Sequence, residues 1–158
     1  MAIWQVEFAI VPRRALTNTP RVALARIMET NWWSGERLPS EFSKQLAAVA
    51  SSGNSSTPER QTWGEEDGNR VDLWSENGKP VRMSARIDAR RLDAKFGAML
   101  LQFARVADAV LIRSDGLVVE PLVSALGAAM RSSDAWQYAT GPAANLPSYS
   151  DPEADEQT

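Results

Sequence analysis

Histidine and cysteine, the residues most used for nucleophilic and metal chemistry, do not occur in this 158-residue sequence. Their absence excludes Ser-His-Asp and Cys-His catalysis, thiolate redox chemistry, a disulfide framework and the usual structural zinc site. What remains is chemistry by carboxylates, Arg, Lys or Tyr, or binding without chemistry. The densest basic set is Arg82, Arg86, Arg90 and Arg91, close in sequence to Asp88 and Asp93. Such a set can grip a phosphate or a carboxylate through paired N–H donors. An exposed strand-to-helix corner of ion pairs, each contributing little, gives the same pattern. Glu65-Glu66-Asp67-Gly68 gathers oxygen ligands ahead of a glycine. It lacks the alternate spacing and closing glutamate of a calcium loop, so a solvated turn without metal is expected. Asp72 and Asp88 are expected to partner arginines rather than to form an acid/base pair, which would need environments that drive two carboxyl pKa values apart. Neither GxGxxG nor a P-loop occurs, so no nucleotide cofactor is expected.

Six tryptophans are the second unusual feature. Trp4 shares an alternating run with Val6 and Phe8 and is expected in the core, as is Trp136. Trp32, Trp33, Trp63 and Trp74 fall in loops or on a polar strand face. Large amphipathic rings beside arginines have the composition of a protein interface, although the same rings can pack long connections onto a sheet. At least one of the group is expected to be an exposed anchor.

The elements that must position these residues follow from periodicity. Residues 3–11 alternate, with Trp4, Val6, Phe8 and Ile10 on one side, which predicts a half-buried strand ended by Pro12. Phe42, Leu46 and Val49 recur at helical spacing after Ser40, predicting a helix to about Ala50. Residues 51–62 are polar and Gly/Ser-rich, a mobile connection in composition; Asn54-Ser55-Ser56 within them is read as loop, not as a glycan acceptor. Two strand-like runs, 70–75 and 80–88, flank Asn77-Gly78. A two-residue turn there sets Leu73 opposite Arg82 and mixes the faces. A three-residue loop sets Leu73 opposite Val81, Val71 opposite Met83 and Asp72 opposite Arg82, and is the expected register. Asp88 is expected to cap a helix carrying Leu92, Phe96, Met99, Leu100, Phe103 and Val106. Ala109 to Ile112 reads as a buried strand, Asp115-Gly116 as a turn into Leu117–Glu120, and Pro121 as the first turn of a helix with Leu122, Leu126 and Met130.

The order strand, helix, strand, strand, helix, strand is that of a ferredoxin-like βαββαβ sandwich, with an added C-terminal hairpin strand and helix. An α+β domain over residues 1–140 is expected, followed by a disordered acidic tail over 141–158. Residues 1–140 hold all 17 basic and 16 of the 20 acidic residues, so the body is nearly neutral. That lacks the basic footprint of a nucleic-acid binder, and only Trp74 is placed to stack a base on a sheet. With no run of 18 apolar residues and no basic n-region before MAIWQVEFAIVPRR, neither a membrane span nor a secretion signal is expected, and the cytoplasm is the default location.

The ordered residues Trp63-Gly64, Asp67-Gly68, Val71-Asp72-Leu73-Trp74, Gly78 and Arg86-Ile87-Asp88-Ala89-Arg90, then the apolar helix to Ala107 and the strand Ala109 to Ile112, resemble a family of small uncharacterised bacterial proteins. These are of the kind found beside polymorphic-toxin genes, where they are taken as immunity factors. The resemblance covers residues 60–140 and brings no catalytic residues with it. It implies a cytoplasmic, non-enzymatic protein. Two functional expectations follow. The first is a protein-binding module, immunity-like, that uses Trp63, Trp74, Asp72, Arg82, Arg86, Asp88 and Arg90 on the hairpin face. The second is a binder of a small acidic ligand, or an enzyme, whose pocket lies between the sheet and residues 13–37 with Arg82 and Arg86 holding the ligand. A flat exposed Trp/Arg patch favours the first, a concave site with convergent polar groups the second.

Overall fold

Alternation of apolar and polar residues builds the centre of the molecule, as the sequence requires. The computed structural model describes residues 1–16, 21–23, 26–27, 30–49 and 57–141. The strands are β1 (Gln5–Pro12), β2 (Arg60–Gly64), β3 (Arg70–Glu76), β4 (Lys79–Asp88), β5 (Ala109–Arg113) and β6 (Val118–Val119). They form one sheet in the order β2-β3-β4-β1-β5-β6, with every neighbouring pair antiparallel. The helices are α1 (Phe42–Val49), α2 (Ala94–Val106), α3 (Val123–Arg131) and α4 (Asp134–Thr140). The protein is therefore α+β. None of these helices is long and apolar enough to cross a membrane.

Register assigns each strand residue to a face. Val6 lies opposite Ile87, Phe8 opposite Ala85, and Ile10 opposite Leu111. All are buried, and this face carries the helices: Phe42 of α1 meets Trp63 of β2 edge-on, with ring centroids 6.0 Å apart. Phe96, Leu100, Phe103 and Ala104 of α2 are each almost completely buried there. The opposite face is polar in its middle. One row across it runs Thr62, Asp72, Ser84, Ala9, Ile112 and Val118; the next runs Gly64, Arg70, Arg86 and Glu7.

Four expectations change. The hairpin between β3 and β4 keeps the two-residue turn, with Asn77 at φ 53° and Gly78 at φ 74°, the paired left-handed conformation such a turn needs. A β-bulge then removes the mixing of faces. Ser75 faces Pro80 but Trp74 faces Arg82, so Val81 is the extra residue and the register beyond it moves by one. Leu73 consequently faces Met83, Val71 faces Ala85, and Asp72 faces Ser84 rather than Arg82. Second, Arg60–Gly64, expected partly within a mobile connection, is an edge strand on β3. Third, the cap of α2 is Asp93, whose carboxylate accepts from the Lys95 and Phe96 amides at 2.9 and 3.1 Å. Asp88 accepts instead from Arg90, through its amide, Nε and Nη2. Fourth, a further helix, α4, follows α3, capped by Ser133 on the Trp136 amide. The expected tail beyond Gly141, and the Asn54-Ser55-Ser56 loop, lie outside the described residues.

The β5–β6 turn is tied to the segment before it. Gly116 has φ 96° and its carbonyl accepts from the Val22 amide at 2.8 Å; a Cβ at this position would meet the Val22 carbonyl oxygen. Beside the turn, Arg113 donates to Asp115 at 2.7 Å and reaches back to the Ala129 carbonyl near the end of α3. The Arg113 hydrogen bonds hold the Asp115 carboxyl below its usual 3.8, at about 2. Stability from this pair is complete above pH 3.8 and is lost as pH falls toward 2. Asp115 is half-exposed, so screening keeps the loss below about 1 kcal/mol. Urea titrations at pH 5 and pH 2 should show a smaller acid penalty in Asp115→Asn than in wild type; an equal penalty refutes the assignment.

Candidate functional site

The polar sheet face is where the sequence-derived candidates separate. Trp63 leaves the set first: it faces Val71 on the helix side, is 5% exposed and packs on Phe42. Trp32 and Trp33 are buried as well, and Trp74 and Trp4 are half-buried, so no tryptophan among the described residues stands free as an exposed anchor. Trp4 is not in the core either. Its indole donates to the Asp67 carbonyl at 2.8 Å, and the Arg90 guanidinium lies 3.9 Å from its ring centroid.

Asp88 and Arg90 belong to that corner, at the far end of β4. Burial works to raise the Asp88 carboxyl, but the Arg90 hydrogen bonds outweigh it and hold the group below its usual value. Asp72 is also committed elsewhere. It is 1% exposed and accepts from Arg70 Nε and Nη2 and from Thr62 Oγ1. Asp72 thus lies inside the sheet, and Asp88 and Arg90 stand at its corner, away from the cleft that Trp74, Arg82 and Arg86 share.

Trp74, Arg82 and Arg86 do converge. They line a cleft of about 270 Å³ between the polar sheet face and the segment carrying Ile27 and Trp32. The β-sheet period of two places all three on one face, and the bulge brings Trp74 opposite Arg82. The Arg82 Cζ lies 5.3 Å from the Trp74 ring centroid. Arg86 stands opposite Glu7 on β1 and donates to it from Nε at 3.2 Å. Ala9 and Ile112 make the floor apolar. Two polar atoms in the wall are orphaned: Trp32 Nε1 and Ser84 Oγ are buried with no hydrogen-bond partner among the described residues.

Glu7 and Ser84 complete a site for which sequence reasoning had named Arg82 and Arg86 on the sheet and residues 13–37 above it. The alternation of β1 put Glu7 on the polar side, yet nothing local says that this side meets Arg86. Glu65, Glu66 and Asp67 lie exposed in the turn between β2 and β3.

A concave site between sheet and covering segment, lined by rings and arginines, defines a class: a small α+β protein with a cleft on the sheet face away from its helices. No family model, curated protein or solved structure matches the chain. The resemblance over residues 60–140 rests on its short motifs alone.

Proposed function

We propose that the protein binds a small, largely apolar ligand carrying a hydrogen-bond acceptor, held in the cleft between the polar sheet face and the side chains of Ile27 and Trp32. One observation carries this reading: Trp32 Nε1 and Ser84 Oγ are both buried in the cleft wall without a hydrogen-bond partner among the described residues. A buried polar group left unpaired costs about 1–3 kcal/mol, so two beside one cavity mark a place where something else completes them. We read the scaffold as a ferredoxin-like core in a cytoplasmic protein. The strand order β3-β4-β1-β5, with α1 before β3 and α2 between β4 and β5, supports the scaffold; β2, β6, α3 and α4 are additions to it.

A fragment screen by ¹H–¹⁵N NMR tests the binding. Ligands should shift the Trp32 indole N–H, assigned through Trp32→Phe, and Ser84→Ala should weaken them about threefold to tenfold, the size of one hydrogen bond. A screen in which no compound moves that signal overturns the reading.

A second reading, protein binding, is favoured by a different surface. An apolar groove of about 450 Å³ separates α2 from α3, with Leu92 and Val123 on its rim, 57% and 76% exposed. Exposed apolar surface gathered in one place marks interaction sites. This moves the expected interface from the hairpin face, where Asp72 is buried and which Trp63 does not share, to the helix side. Capture of the same partners by wild type and by a folded Val123→Asp variant would refute it.

A further inference from the structure

We propose that the cleft selects a flat monocarboxylate, a single planar apolar body bearing one carboxylate; this rests on the cleft reading above and specifies its ligand. The first ground is the chemistry of the unspent groups. An indole N–H can only donate, so Trp32 requires an acceptor from the ligand. Arg86 meets Glu7 through Nε at 3.2 Å, and its two terminal nitrogens carry no hydrogen bond among the described residues. Those nitrogens form the fork that matches a carboxylate in shape and charge. Ser84 Oγ, one row away on β4, can donate as well. Every group awaiting a partner is thus able to donate, and an oxyanion answers all of them.

The second ground is the carboxylate already there. Glu7 lines the same cleft and is 27% exposed in its side chain. In a partly desolvated site a second negative charge on the ligand would be set against it at reduced dielectric. A monoanion shares Arg86 with Glu7; a dianion such as a phosphate monoester meets repulsion. The third ground is shape. Trp32 and Trp74 supply aromatic wall, with Ile27 and Ile112 beside them. At about 270 Å³ the space falls just below the range that accommodates drug-sized ligands, which suits one ring rather than two.

The experiment titrates the full chain with phenylacetate, phenylacetamide and phenyl phosphate, following the Trp32 indole N–H by NMR. Phenylacetate should saturate and move that signal, with the neutral amide and the phosphate at least tenfold weaker. Arg86→Met should raise the phenylacetate Kd at least tenfold while amide dispersion stays that of a folded protein. Glu7→Gln should narrow the gap between phosphate and carboxylate, a change that a purely structural role for Glu7 would not produce. If the amide or the phosphate binds as tightly as phenylacetate, the monocarboxylate assignment is wrong and the cleft reading stands. If none of the three moves the Trp32 signal while another compound from the screen does, the same conclusion holds. If no compound moves it, the cleft itself is not a ligand site and both fail.

Discussion

Asp72→Ala should lower the unfolding free energy by about 3–5 kcal/mol, the cost of leaving one member of a buried ion pair without its partner. The carboxylate takes Arg70 Nε at 2.9 Å, Arg70 Nη2 at 3.0 Å and Thr62 Oγ1 at 2.7 Å. Both charged side chains are almost fully buried, 7% exposed for Arg70 and 1% for Asp72. The strand register explains why the pair exists. Arg70 stands opposite Arg86, a like-charge juxtaposition that is unfavourable across a sheet. Each guanidinium turns to its own carboxylate, Arg70 to Asp72 and Arg86 to Glu7. In Asp72→Ala the Arg70 charge stays buried and loses its counter-charge, and Thr62 loses an acceptor. Total stabilities of small domains are about 5–15 kcal/mol, so this variant should unfold at a much lower urea concentration than wild type. Removing both charges by Arg70→Met with Asp72→Leu should return stability to within about 1–2 kcal/mol of wild type, because the desolvation cost disappears with the attraction. Urea titrations followed by tryptophan fluorescence read both. An Asp72→Ala protein within about 1 kcal/mol of wild type would mean that water reaches the pair.

How far the sequence foretells this arrangement depends on the range of the interaction concerned. The alternation of Val6, Phe8 and Ile10, the helical stripe from Phe96 to Phe103 and the Asp115-Gly116 turn are local signals, and each corresponds to an element. Trp74, Arg82 and Arg86 share a face for the same reason: side-chain period within a strand is two. The β2 segment, Arg-Gln-Thr-Trp-Gly, has no such signature. It is short and polar and becomes a strand through its pairing with β3. Misreading it reversed the orientation of Trp63, since only the pairing with Val71 turns that ring toward the helices. The bulge at Val81 is similarly invisible, because an Asn-Gly turn and a face-matching register look incompatible until one residue is set aside. Glu7 and Arg86 are 79 residues apart, and no local pattern announces their meeting. The site was therefore legible as arginines and rings on one strand face beneath residues 13–37, and illegible in the wall that β1 contributes through Glu7.

Trp33→Ala should cost about 3–5 kcal/mol, as removal of a buried large aromatic does, with a specific consequence for the cleft. Trp33 is 1% exposed and occupies the place where β1 and β4 part. Their pairing ends at Ala9 and Ser84, just before the bulged Val81. Two carbonyls lose their ladder partners there, and Trp33 takes both: its indole donates to Ile10 O at 2.7 Å and its amide to Val81 O at 2.9 Å. A single residue thus closes the gap in the sheet and fixes the chain next to Trp32, whose neighbour across the cleft is the same β4. Trp33→Phe keeps most of the apolar body and removes the indole donor, leaving the Ile10 carbonyl buried and unpaired, for about 1–3 kcal/mol. The amide bond to Val81 survives in both variants, so the difference between them measures ring volume. Because Trp32 follows the position of Trp33, ligands that shift the Trp32 indole in wild type should bind Trp33→Phe more weakly even under conditions where that variant is fully folded. Equal, small losses of stability in both variants would show that the segment is not anchored by this residue. Unchanged ligand affinity in a destabilised Trp33→Phe would show instead that the cleft wall is held from the other side, by the stack of Arg26 on Trp32 at 5.2 Å.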